Sequence, residues 1–195
     1  TLNSAVLLDS KGIRRTHEKL HLVPYGEFLP FERWVPWLRQ LLPPMGDFVP
    51  GDNVTVFRHE AVPPFSVLVC FEDIFPDLAR RFIREGAQWL LVITNDAWFG
   101  PTAAAYQHAQ ASTFRAVELR VPVARAANTG WSGCIDASGR RLGNVRGASG
   151  AELFVAGTYT CDLPVGPAES LYRRWGDWFA LLCLLLAAAA FGFGM

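Results

Sequence analysis

The chain has 195 residues, enough for one domain with a core of its own. Its 18 basic residues balance its 18 acidic ones, which excludes the electrostatic footprint of a nucleic-acid binder and a polybasic membrane patch. Cys70, Cys134, Cys161 and Cys183 stand far apart with no C-x-x-C pair, so neither a zinc site nor a dense disulfide framework is expected.

In chain order, residues 3–22 read as a hairpin with its turn at 10–12. FERWVPWLRQLLPP (31–44) is an aromatic-rich segment, helix or loop, broken by prolines. DNVTVFRH (52–59) reads as a strand, and FSVLVCF (65–71) as a short apolar strand buried on both faces. A helix over 75–86 follows, with Pro76 in its first turn and Gly86 at its end. WLLVITND (89–96) is a second buried strand, and 102–120 an Ala-rich helix. Strands at 122–128 and 153–163 flank a hairpin around 137–139. The expected domain covers 1–168, with a junction at 169–177 and a transmembrane helix at 178–195. That last run is uncharged, with Trp175 and Trp178 at its head. Strands alternating with helices, with hairpins at the flanks, imply an α/β layered domain with a mixed sheet. The start at Thr1, without a signal-peptide pattern, reads as part of something longer.

Chemistry concentrates in the central strand–helix–strand unit. Ligands bind beyond the carboxyl ends of parallel strands, so Cys70 and the pair Asn95 and Asp96 share one rim. A helix starting near Phe75 aims its positive end at the thiol and favours thiolate, while Glu72 and Asp73 oppose that. Cys70 is therefore a nucleophile or a small core residue. Lys19 is an oxyanion donor or a solvated edge lysine. His21, His17 and His108 are candidate bases, though no spacing rule links them to Cys70.

Four stretches in order, EKLHLVPYGEFLP, VCFEDIFPD, TNDAWFG and QHAQASTFRAVELRVPVARAANTG, resemble the carbon–nitrogen hydrolase (nitrilase) superfamily. LVPYGEFLP, NDAWFG and the closing RRWGDWF are similar to its apolipoprotein N-acyltransferase branch, and the likeness covers nearly the whole chain. The resemblance implies an αββα four-layer sandwich, here without its first strands. It implies that Cys70 takes an acyl chain from a phospholipid as a thioester and passes it to the N-terminal amine of an apolipoprotein's diacylglyceryl-cysteine. Lys19 and the backbone N–H of Phe71 would face the oxyanion, with Glu27 and Glu72 as supporting acids. Asn95, Trp98, Phe99 and the aromatics of 28–37 would line the substrate path, or else fill core. The implied place is the bacterial inner membrane with the catalytic domain facing the periplasm, although Arg173 and Arg174 taken alone suggest the opposite side. The expected partners are phospholipid, apolipoprotein and membrane, with no nucleic acid, cofactor, metal or second copy.

Two departures matter. The superfamily's general-base glutamate lies upstream of the lysine motif and has no match here, so residues 1–195 alone are expected to be inactive. His17 stands where the family carries an aromatic. A membrane-tethered amidase and a catalytically dead binding module remain as alternatives.

Overall fold

A computed structural model describes residues 1–32, 34, 36–40, 46–166 and 169–192. Strands β1 (Ser4–Asp9) and β2 (Gly12–Glu18) pair antiparallel as a separate hairpin. Gly12, at φ 104°, supplies the left-handed turn residue that a side chain would resist. A six-stranded sheet follows in spatial order: β3 (Phe57–His59), β4 (Val62–Val69), β5 (Trp89–Thr94), β6 (Val123–Ala127), β7 (Gly133–Ile135) and β8 (Arg141–Asn144). The central β4, β5 and β6 run parallel, and the flanking pairs run antiparallel. Helices α1 (Pro76–Arg84) and α2 (Ala103–Leu119) are the crossovers between the parallel strands.

The unbroken apolar runs of β4 and β5 follow from burial on both faces. Leu68, Leu90, Val92 and Val123 pack under Leu78, Phe82 and Ile83 of α1 and Ala109, Ala116 and Leu119 of α2. Each large side chain in that layer contributes about 1.5–3 kcal/mol by leaving water. The alternate residues Phe65, Val67 and Val69 turn to the other face, where Ala5 and Leu7 of β1 cover them. The described residues thus form three layers, α, β and β. Of the expected four-layer sandwich, the outer helical layer is not among them, and the hairpin's outer face leaves Val6, Leu8 and Ile13 exposed.

Several elements differ from expectation. Only Phe57–His59 of 52–59 is strand: Gly51 N–H donates to the Lys19 carbonyl, so the chain before β3 crosses towards that loop instead of extending the sheet. Of 31–44, Pro36–Gln40 is a short 3-10 helix, and 33, 35 and 41–44 lie outside the described residues. Residues 153–163 form no strand. They cross the β7–β8 edge, where Tyr159 donates to the Leu142 carbonyl and fills the space over Gly143. A disulfide between Cys134 and Cys161 fastens this segment to β7, a pairing the sequence analysis did not foresee.

After the junction, of which 167 and 168 lie outside the described residues, α3 (Leu171–Trp175) leads to α4 (Trp178–Gly192). Arg80 of α1 donates to the carbonyls of Arg173 and Arg174, both at 3.0 Å, and caps α3. Of the expected membrane span at 178–195, residues 193–195 lie outside the described residues, and α4 covers 15 of the others. Among the described residues no helix is long and apolar enough to cross a membrane.

Candidate active site

The parallel register aligns Val69 with Ile93, and Thr94 with Ala127, so β4, β5 and β6 end along one rim. The loops leaving that rim carry Cys70, Asn95 and Asn128. Cys70 is a free, half-buried cysteine that opens a 3-10 turn, Cys70–Ile74. Its φ is 55°, in the left-handed region, which costs a residue with a Cβ roughly 1–2 kcal/mol. That conformation ends β4 at Val69, earlier than the expected 71. The 3-10 turn lies between Cys70 and α1, which begins at Pro76.

Glu72 is fully buried and ties the cysteine turn to the lysine segment. Its Oε1 accepts from the Leu20 and His21 N–H groups at 2.6 and 3.2 Å, and its Oε2 accepts from Val69 N–H at 2.7 Å. Lys19 follows directly on β2, is 1% exposed, and is therefore not a solvated edge lysine. Its Nζ donates to both oxygens of Glu27, at 2.9 and 2.7 Å. Glu27 also accepts from Asn3 Nδ2 at 3.1 Å and Val23 N–H at 2.8 Å. Phe71 meets Phe75 edge-on at 5.1 Å.

None of the three histidines serves as a partner for Cys70 in the contacts observed. His17 is fully buried and packs edge-on against Phe82 at 5.2 Å, which accounts for a histidine in an aromatic position. His21 stacks on Phe75 at 4.5 Å. His108 belongs to a buried polar cluster under the rim that the sequence analysis missed. Asp73 Oδ2 accepts from Arg125 at 2.6 Å and from Ser112 at 2.8 Å, and Asp96 Oδ2 accepts from Arg125 at 3.1 Å. His108 lies between these carboxylates, 2.9 Å from Asp73 and 2.8 Å from Asp96. Burial alone would lower its pKa, but the close carboxylates of Asp73 and Asp96 outweigh that and raise it to about 9. Burial likewise opposes the Asp96 carboxylate, yet His108 and Arg125 hold its pKa below the ordinary value. The signal was present in the pattern: the helical period puts His108, Ser112 and Arg115 on the same face as Ala105, Ala109 and Leu119.

The rim's second loop is ordered by its own polar groups. Asn95 Oδ1 accepts from Ala97 N–H at 3.1 Å and from Asn128 Nδ2 at 2.6 Å. Gly130 lets the neighbouring loop pass close by, since a Cβ there would stand 1.9 Å from Asp96 Oδ2. Trp98 is 78% exposed and Phe99 36%. Phe31, Trp34 and Trp37 are exposed too, so none of these aromatics is core filling. An open cleft of about 850 Å³ lined by Asp9, Arg14, Arg58 and His59 lies at the opposite end of β4, beside Val62 and Pro64, away from Cys70.

Residues 1–158 match the carbon-nitrogen hydrolase family. The chain belongs to that family. Over 96% of its length this carbon–nitrogen hydrolase is 43% identical to an apolipoprotein N-acyltransferase from Geobacter metallireducens and 36% identical to one from Thermotoga maritima. It spans about a third of those relatives, 35% and 36% of their lengths. Among solved structures, it resembles a variant of the amidase from Nesterenkonia sp. AN1 with acrylamide added at the active-site cysteine. The TM-score is 0.51 at 24% identity, covering 73% of this chain and 52% of that one, which shows a shared fold.

Proposed function

We propose that this carbon–nitrogen hydrolase chain is the cysteine-bearing part of an apolipoprotein N-acyltransferase of the bacterial inner membrane. The observation that carries the proposal is the placement of Cys70: left-handed at the strand rim, and tied through Glu72 to the segment that presents a buried Lys19. The relatives at 43% and 36% identity favour acyl transfer over amide hydrolysis. Exposed Trp98 and Phe99 beside the rim suit an acyl chain better than a small amide.

In the proposed reaction the Cys70 thiol attacks an ester carbonyl of a phospholipid such as phosphatidylethanolamine. The C–O bond breaks, the thiol's proton reaches the departing lysophospholipid alkoxide through a base, and a thioester remains. Lys19 and the Phe71 N–H face the oxyanion. The amine of the lipoprotein's diacylglyceryl-cysteine then attacks, an amide forms, and the thiol is restored. Cys134–Cys161 supports an oxidising, periplasmic setting, because such bonds rarely persist in a reducing cytoplasm. The apolar helix α4 is proposed to enter the bilayer.

The test incubates the intact protein with phosphatidylethanolamine vesicles and no amine acceptor. A hydroxylamine-labile acyl mass on the Cys70 peptide, absent from Cys70→Ala, is expected. Ammonia release from simple amides without any acyl adduct would favour a tethered amidase. Neither product would favour a binding module.

A further inference from the structure

The cluster under the rim joins two loops with different tasks. Asp73 belongs to the 3-10 turn that Cys70 opens, and its backbone carbonyl also accepts from Arg115 at 3.2 Å. Asp96 stands beside Asn95, two residues before Trp98. Thr94 donates to Asp96 Oδ1 at 2.8 Å, and Asn128 accepts from the Asp96 N–H at 3.0 Å. His108 comes from α2, beneath both loops, with Phe99 edge-on over its ring at 5.5 Å. All of Asp73, Asp96, His108, Ser112, Arg115 and Arg125 are buried, none more than 8% exposed.

We propose that His108 is a positioning residue whose protonated ring clamps the turn carrying Cys70 to the loop carrying Asn95, Trp98 and Phe99. Charge balance is the first reason. Asp73 and Asp96 are two buried carboxylates against one buried guanidinium, Arg125, so a neutral His108 leaves an uncompensated negative charge in the interior, whereas an imidazolium closes the sum. Arg115 does not make up the difference, because Glu118 holds it at 2.7 Å.

Geometry is the second reason. Each ring nitrogen faces a different carboxylate, and only the imidazolium carries a proton on both. The Nε2–Asp73 contact falls outside hydrogen-bond angles, so it acts as charge attraction, which the neutral ring lacks. At Nδ1 the choice is sharper. Arg125 reaches that nitrogen at 3.0 Å and Asp96 Oδ1 at 2.8 Å. A protonated Nδ1 donates to Asp96. A bare Nδ1 accepts from Arg125 and loses its bond to Asp96, which Arg125 and Thr94 then hold without the histidine. Loss of the Nδ1 proton therefore loosens the aromatic loop from the cysteine turn, with Arg125 left as their remaining link, and leaves the thiol untouched.

The test uses the intact protein, and its activity arm rests on the acyltransfer proposed above. Acyl transfer and hydrogen exchange in peptides covering 70–75 and 95–99 are followed from neutral pH through about 9, the exchange corrected for its intrinsic pH dependence. Wild type should lose kcat across that range at constant KM for the donor, while both peptides loosen together. His108→Gln should already show loosened peptides at neutral pH, a kcat lower by about tenfold or more, and no alkaline limb. A His108→Gln enzyme that keeps the wild-type alkaline limb, or wild-type exchange that stays flat through the range, overturns the proposal. If His108→Gln fails to fold, the wild-type exchange profile decides alone. Coupled loosening in a protein with no acyl transfer would sustain the clamp and sink the acyltransferase.

Discussion

At the residue scale, the lysine and the two glutamates divide two tasks that one substitution can confuse. Lys19 is buried against Glu27, so removing it deletes the proposed oxyanion donor and also strands a carboxylate. Lys19→Met should lower Cys70 acylation by about a hundredfold to a thousandfold and cost about 3–5 kcal/mol of stability. The double variant Lys19→Met/Glu27→Gln should regain much of the stability and none of the activity, as chemical denaturation and acylation rates together will show. Glu72 behaves differently, because it accepts from three backbone N–H groups. In Glu72→Gln one acceptor becomes a donor facing an N–H. The expected cost is about 3 kcal/mol or more, with acylation falling because the Lys19 segment leaves the Cys70 turn. An equally stable, fully active Glu72→Gln protein would contradict that assignment.

At the element scale, the parts that sequence revealed are those with a single strong period or punctuation mark. The buried strands β4 and β5, helix α1 with Pro76, and the Ala-rich α2 all lie within a few residues of their expected bounds, since apolar runs and caps act locally. The strand-end positions of Cys70 and Lys19 were legible for the same reason. What stayed hidden depends on distant residues. Arg125 sits two residues from Val123 on one strand face, which marks it as buried, but nothing local names Asp73 and Asp96 as its partners. Likewise 153–163 has strand composition yet finds no edge to pair with, because Tyr159 fills the space over Gly143 and Cys161 is bonded to Cys134. That disulfide closes a 27-residue separation and should add about 3.5 kcal/mol by restricting the unfolded chain. Reducing it, or Cys134→Ser with Cys161→Ser, should lower the denaturation midpoint and expose 146–163 to protease, while Cys70 acylation in the folded protein persists.

At the scale of the whole molecule, charge and apolar surface set the working conditions. The raised His108 pKa gives stability on the order of 3 kcal/mol that is fully present below its unfolded value of 6.5 and lost as pH rises through about 9. The lowered Asp96 value acts at the other end: its contribution is present above the ordinary carboxylate value and lost as pH falls through the folded one. Denaturation midpoints should therefore peak between these limits, and His108→Gln should flatten the alkaline side.

The apolar surface points outward instead. Leu184, Leu185 and Leu186 of α4 are 67%, 69% and 61% exposed, and Phe191 is 79% exposed, a patch that water does not tolerate uncovered. Arg80 joins this helix, through the α3 carbonyls, to α1 and hence to the turn that carries Cys70. With α4 in lipid as proposed, that linkage sets the height of the thiol above the bilayer. Leu185→Lys should then raise KM for phospholipid in vesicles severalfold, since a charge near a helix centre costs about 2.5–3.5 kcal/mol in the bilayer. Alkylation of Cys70 by a small soluble reagent should not change, because the Cys70 turn itself is untouched. Arg80→Ala should act in the same direction with α4 still in the membrane, separating insertion of the helix from its coupling to the site. Vesicle KM values unchanged in both variants would show that α4 plays no part in presenting the acyl donor.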